Sequence, residues 1–228
     1  MSDATDSPSP NRGDATREAL INSAIEIFGR DGFSAASTRS ISQVAGVNLA
    51  LIGYHFGGKP GLYLAAIRQI ADSVSARMGP LLSEIEAALS TGDGANKPER
   101  EAEQAIELLH RLTGAFVQVL TSDESATWAR LILREQQDPS EGFDILYDVI
   151  MNRMFMVAAE LVRRVRREKK VGQKTKLMTV TLMGQVLVFR AARAVVMREM
   201  GWSKLEPAEV ETIKALLRHN VAAMLKTD

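Results

Sequence analysis

Apolar side chains recur along this chain at three- and four-residue steps, the period of a helix packed on one side. Leu20, Ile21, Ala24, Ile25 and Phe28 form one such face and predict a first helix over residues 14–29, closed by Gly29 and Gly32. Ile41, Val44 and Ala45 form a second, shorter face. Ser37 or Thr38 can cap that helix, and Gly46 can stop it, because a positive φ costs a glycine nothing. Asn48 is a cap for a third helix running to about His55. Two short helices joined by a tight turn containing glycine form the helix-turn-helix unit, whose second helix fits the DNA major groove.

Lys59-Pro60 opens a fourth helix with Leu62, Tyr63, Ala66, Ile67 and Ile70 along it. Gly79-Pro80 predicts a kink or break, and an apolar stretch follows over residues 81–89. Residues 91–98 read as the clearest loop. An amphipathic helix is predicted over residues 99–120, and another capped by Asp123 runs to about residue 136, where Asp138-Pro139 ends it. A long helix over about residues 143–169 carries Leu146, Ile150, Met154, Val157, Leu161 and Val165. It ends in a basic run, Arg163 to Lys170, which reads either as a solvated helix terminus or as a second nucleic-acid contact. Residues 177–197 are apolar nearly all round and should be buried on most sides. Gln185, Arg190 and Arg193 argue against a membrane span there, so a helix at the middle of a subunit interface fits better. Pro207 starts a last helix with Val210, Ile213, Leu217 and Val221 as its stripe. No alternating strand pattern stands out, so the fold class is all-α.

Composition narrows the chemistry. The 228 residues suit one small module plus a larger domain. Residues 1–13 read as a disordered tail, residues 14–58 as a DNA-binding helix-turn-helix domain, and residues 59–228 as a helical regulatory and dimerisation domain. Lys+Arg and Asp+Glu are both 28, so DNA affinity must come from a local patch and from doubling in a dimer. Such a patch exists: residues 32–71 contain no Asp or Glu, while Arg39, Lys59 and Arg68 are positive. With 0 Cys and no apolar leader, the chain fits a reducing cytoplasm. His55, His110 and His219 are far apart and none lies near a nucleophile or in a metal-ligand cluster, so no metal, no cofactor and no enzyme is expected.

Ala45-Gly46-Val47-Asn48, then Tyr54-His55-Phe56-Gly57-Gly58-Lys59, then Gly61-Leu62-Tyr63, closely resembles the amino-terminal signature of the TetR family of transcriptional regulators. The resemblance implies a homodimer on a palindromic double-stranded DNA operator. It implies that Arg39 contacts a guanine, that Asn48 opens the reading helix, that Leu49 and Ala50 make apolar contact to thymine methyls, and that Thr38, Tyr54, His55 and Lys59 hold phosphates. On the residues alone, His55 also reads as a packing histidine. Gly53 departs from the family, which usually has an aromatic or polar residue there, and Tyr54 is placed to take over part of that contact. Gly53 and the apolar Leu49-Ala50-Leu51 also fit an adaptor that binds protein partners and has lost DNA binding.

The stretches Arg130-Leu131-Ile132-Leu133-Arg134-Glu135, Phe143-Asp144-Ile145-Leu146-Tyr147, Gly184-Gln185 with Phe189-Arg190, and Gly201-Trp202 resemble a subgroup of that family, the CecR-type regulators. That resemblance implies regulated genes for export of, or sensitivity to, toxic small molecules. The last two long helices are similar to the pair through which TetR-family proteins dimerise. A small-molecule effector would occupy a cavity among residues 60–200. Of the 10 Met, nine lie at or beyond Met78, with Met154 and Met183 among them; they read as cavity wall or as ordinary core. Trp128, Arg134, Gln185 and Arg190 are candidates for the few polar or stacking groups of such a cavity.

Overall fold

The computed structural model describes residues 12–90 and 98–225. Most of the tail and of the 91–98 loop named above fall outside the described residues. Every element among the described residues is helical: α1 (Arg12–Ala35), α2 (Thr38–Ala45), α3 (Ala50–Phe56), α4 (Lys59–Ser90), α5 (Pro98–Thr121), α6 (Asp123–Gln137), α7 (Glu141–Leu146), a π turn (Tyr147–Met151), α8 (Asn152–Val165), α9 (Gln173–Ala191), α10 (Arg193–Met200) and α11 (Pro207–Leu225).

Local chemistry sets the ends of α2 and α3. The Ser37 hydroxyl accepts from the Ser40 N–H at 3.0 Å, and Gly46 closes α2 at φ 66°. Only glycine takes that backbone without strain. The Asn48 side chain accepts from the Ala50 N–H at 2.8 Å and so opens α3. Ile41 and Ile52, both fully buried, pin the two short helices to α1 and α4.

Several expectations are corrected. The first helix does not end at Gly29; it continues to Ala35, with one left-handed residue, Gly32, at φ 82°. Gly29 instead serves close approach, because a Cβ there would lie 2.7 Å from the Thr127 carbonyl oxygen of α6. Pro80 does not break α4, which runs unbroken through it. Ala76 and Pro80 are both exposed, so the carbonyl left without a donor faces water. At roughly 1.5 Å per residue, the 32-residue α4 spans about 48 Å and carries one rod from the helix-turn-helix into the regulatory bundle.

Ser122, rather than Asp123, caps α6, accepting from the Ser125 N–H at 3.3 Å. The long helix expected to run to residue 169 ends at Val165 and contains the π turn. Its basic run is largely committed to acids of this chain. Arg163 and Arg164 bind Glu160, and Arg166 binds Glu168 at 2.8 Å. Residues 177–197 are not one buried helix: α9 and α10 meet at a bend of 73°. No proline or glycine marks that bend. Leu177, Val180, Val188 and Val195 stand exposed on the pair. No single helix among the described residues is long and apolar enough to cross a membrane.

The core is continuous. α1 packs on α2, α4 and α6, while α5 lies at the centre of the larger part against α8, α9 and α11. Buried Phe28, Ile67, Leu82, Leu109, Leu161 and Val186 belong to one cluster, so the helix-turn-helix is anchored in the same core as the bundle.

Because α1 and α6 touch through backbone at Gly29, Gly29→Ala is expected to lower stability by about 1–3 kcal/mol through overpacking. Urea denaturation of the two proteins measures this, and a variant as stable as the parent would contradict the close contact.

Candidate DNA-reading face and ligand cavity

Helix α3 is held from below and open from above. Ile52 is buried, and Val47, Leu51 and Phe56 pack half-buried against the core. On the opposite side Asn48, Leu49, Ala50, Gly53 and Tyr54 are exposed. Tyr54, at 82% exposure, projects almost wholly into solvent. Arg39 is exposed on α2 and Thr38, the first residue of that helix, is half-buried. His55 is half-buried, its ring 4.9 Å from that of Tyr54 and 6.0 Å from that of Phe56. The Lys59 ammonium lies 4.7 Å from the centre of the Phe33 ring and donates to the Ser34 carbonyl at 3.3 Å. Those contacts fix the cation at the start of α4 and leave it half-exposed.

Arg17, which the sequence reading passed over, sits with its guanidinium 5.6 Å from the Phe56 ring centre and adds a cation from α1 to this face. Its position three residues before Leu20 and four before Ile21, one turn ahead of the core stripe, was the available signal. Nothing lies within 4 Å of where a Gly53 Cβ would stand, so packing does not demand glycine there.

The second site is a cavity of about 300 Å³ among α4, α5, α6, α7, the π turn, α8 and α9, open to the surface beside the exposed Tyr147 and Val180. Trp128, Met154 and Met183 line it, with Phe116, Ile132 and Phe155 beside them. Among the described residues no charged side chain lines it. Such a cavity suits an apolar molecule held by few polar groups. The other expected ligand residues lie elsewhere. Gln185 is on the far face of α9, where its carbonyl accepts from the Asn220 amide of α11 at 3.3 Å. Arg190 lies one turn beyond Leu187, the last lining residue of α9. Arg134 points the other way from α6, its guanidinium against Gly32 of α1.

Next to Arg134 stands a feature absent from the sequence reading. Glu135 is buried, at 3% exposure, yet fully partnered. The Tyr63 hydroxyl of α4 donates to it at 2.5 Å, and the Ser140 N–H at 3.0 Å. The Ser140 hydroxyl lies 2.9 and 3.0 Å from its two oxygens. Burial first, then the hydrogen bond to Glu135 and its charge, push the Tyr63 phenol above its ordinary pKa. Tyr63 in turn meets Phe28 and Phe33 of α1 edge-on, each at 5.1 Å. Thus α6 has the cavity on one side and the root of the helix-turn-helix on the other. The signal was present: residue 135 is four after Leu131 and seven after Trp128, on the inward stripe.

These features define an all-helical protein with an outward-facing helix of a helix-turn-helix joined to a bundle that holds an apolar cavity. Residues 20–66 match the family described as bacterial regulatory proteins, tetR family. Residues 105–227 match the C-terminal domain of the HTH-type transcriptional dual regulator CecR. The chain belongs to the TetR family of DNA-binding transcriptional regulators, a non-enzymatic family, and carries a CecR-type C-terminal domain. It is 26% identical to the dual regulator CecR of Shigella flexneri over 215 residues, 94% of this chain and 93% of that protein. Over 62 residues it is 44% identical to the regulatory protein RaaS of Mycobacterium tuberculosis, covering 27% of this chain and 29% of that one. Among solved structures, a TetR-like regulator from Rhodococcus sp. RHA1 superposes with a TM-score of 0.60 at 20% identity, covering 95% of this chain and 98% of that one. FadR of Bacillus subtilis, in complex with stearoyl-CoA, superposes with a TM-score of 0.55 at 15% identity, covering 92% and 97%. At these identities the superpositions speak for the fold.

Two outcomes are expected here. Gly53→Ala should raise stability by about 0.5–1 kcal/mol, since an exposed helical glycine is replaced in open space; a thermal melt checks it. Tyr63→Phe should cost about 1–2 kcal/mol at neutral pH by leaving Glu135 short of a donor. The phenol is raised in the folded state, so its contribution is complete below about pH 10 and falls as pH rises beyond it. The gap between the parent and Tyr63→Phe should therefore narrow above that pH in urea titrations.

Proposed function

We propose that this protein is a homodimeric repressor that leaves a palindromic operator when a small, largely apolar molecule enters the cavity lined by Trp128, Met154 and Met183. The observation that carries the reading is the position of α6. One helix forms a wall of the cavity and also grips α1 and α4 through Arg134 and Glu135. A ligand that prefers an α6 position unlike the DNA-bound one shifts the population towards it and changes the spacing of the two reading helices. The dimer rests on the exposed apolar side chains Leu177, Val180 and Val188 of α9, Val195 and Met200 of α10 and Leu216 of α11. That much exposed apolar surface on the last helices supports a partner covering it.

On the operator, Arg39 reads a guanine with its bidentate fork, and Leu49 and Ala50 meet thymine methyls. Thr38, Tyr54, His55 and Lys59 hold phosphates and set the register, while Asn48 fixes the start of α3. The bare surface at Gly53 lets a base edge or sugar approach the helix backbone closely. The protein works in the cytoplasm, and its target genes concern export of, or sensitivity to, the molecules that fill the cavity.

Selection of genomic fragments on the purified protein, then anisotropy titration at several salt concentrations, tests this. Arg39→Ala is expected to cost about 1–3 kcal/mol and to flatten base preference at one position of each half-site. Lys59→Ala should weaken all sequences alike and reduce the salt slope by about one per subunit. Failure to recover any specific fragment, with weak binding throughout, would overturn the repressor reading and favour the adaptor.

A further inference from the structure

The cavity wall is almost entirely carbon, and its few polar atoms are unequal. Gln136 is occupied, its amide donating to the Met151 sulfur at 3.5 Å. Trp128 is buried, at 5% exposure, yet its indole N–H has no acceptor among the described residues. A buried donor without a partner costs stability comparable to a lost hydrogen bond, so a persistent one marks where a ligand atom belongs.

Just past the cavity, the two helices that flank it each carry an arginine. On α9 the lining residues Val180, Met183, Gly184 and Leu187 follow the helical period, and Arg190 is the next position of that row. On α6, Arg130 is exposed two residues after the lining residue Trp128, close enough for its charge to act on Arg190. Arg193, at the start of α10, is close enough for its charge to act on Arg190. Among the described residues none of the three makes an ion pair with an acid. Arg190 is half-buried, and its pKa is pushed down first by burial and then by the charges of Arg193 and Arg130, with no carboxylate acting in the opposite direction. Three clustered cations at the edge of a low-dielectric cavity repel one another unless an anion neutralises them.

We infer that the effector is an anionic amphipath: its apolar body fills the cavity, an oxygen accepts from the Trp128 indole N–H, and its acidic group lies on Arg130, Arg190 and Arg193. This rests on the reading of the cavity as the effector site and adds the chemical class of what enters it. The arrangement explains why Arg190 and Trp128, separate in sequence, serve one molecule. The carbon wall excludes polar metabolites, because nothing on it satisfies more than one or two buried polar groups. The arginines favour a carboxylate, sulfonate or phosphate over a neutral molecule of the same shape.

Two fluorescent probes with one aromatic skeleton test the inference on the full-length protein. 1-Anilinonaphthalene-8-sulfonate carries the anion, and N-phenyl-1-naphthylamine lacks it. The anionic probe is expected to bind about tenfold tighter than the neutral one, the worth of one charge-assisted hydrogen bond. Arg190→Gln and Arg130→Gln should abolish that preference and leave the neutral probe unchanged, while Arg190→Lys keeps most of it. Trp128→Phe, which keeps a ring and removes the N–H, should weaken the anionic probe. Met183→Trp, which fills the cavity, should abolish both. Equal binding of the two probes, both lost in Met183→Trp, would overturn the anionic class and keep the cavity as the effector site. Binding of neither probe, or binding indifferent to Met183→Trp, would overturn the cavity reading and the inference with it. Arginine variants that change the sedimenting mass without changing probe preference would assign the three arginines to a subunit interface and overturn the inference.

Discussion

The buried carboxylate of Glu135 is the constraint on which this molecule turns. An acid at 3% exposure is tolerated only where both its oxygens have donors, and here Tyr63 and Ser140 supply them. Those donors come from α4 and from the turn into α7, so satisfying one side chain fixes three elements at once. Removing one partner leaves an uncompensated group in the core, which makes the register of α6 on α4 specific. Arg134, packed on Gly32, fixes α1 to the same point. In the proposed mechanism the helix-turn-helix follows α6, and α6 follows whatever fills the cavity behind it.

This arrangement gives the long α4 a clear role. It is one rod of roughly 48 Å, by the rise of about 1.5 Å per residue, with α3 packed near its start and the cavity residues Ala71 and Val74 near its middle. A packed core has discrete arrangements rather than continuous ones. On the proposed mechanism, a modest shift of α6 would become a change in where α3 points. Two copies of such a unit, related by a two-fold axis, would convert that change into a mismatch with two half-sites on DNA.

Much of this was legible in the sequence, for reasons that differ by element. The caps at Ser37 and Asn48 and the stop at Gly46 are local chemistry, and local chemistry needs no tertiary partner to be read. The periodic faces of α1, α5 and α11 were legible because each has one buried side. Pro80 does not stop α4, because the penalty for a helical proline depends on whether the freed carbonyl meets water, which the sequence does not display. Residues 177–197 misled because an all-round apolar pattern carries no phase. It suits a buried helix and equally a bent pair awaiting a partner, and the bend at Ala192 has no proline or glycine to announce it. The cavity was half legible: Met and Trp pointed to it, while the rotation of α9 decides that Met183 faces inward and Gln185 faces Asn220. Glu135 was overlooked because a charged residue on an inward stripe reads as an exception until its donors, 72 residues earlier and five residues later, are seen.

The claim at the centre of this account is that cavity occupancy governs DNA binding through α6. It can be tested without knowing the natural effector. Met183→Trp puts a permanent apolar occupant in the cavity, and anisotropy titration on the selected operator compares it with the parent at matched salt. The expected result is a folded, dimeric protein whose operator affinity falls by about tenfold or more, the scale of an ordinary allosteric coupling, with its salt slope retained. A folded Met183→Trp protein that binds the operator as tightly as the parent would contradict the account.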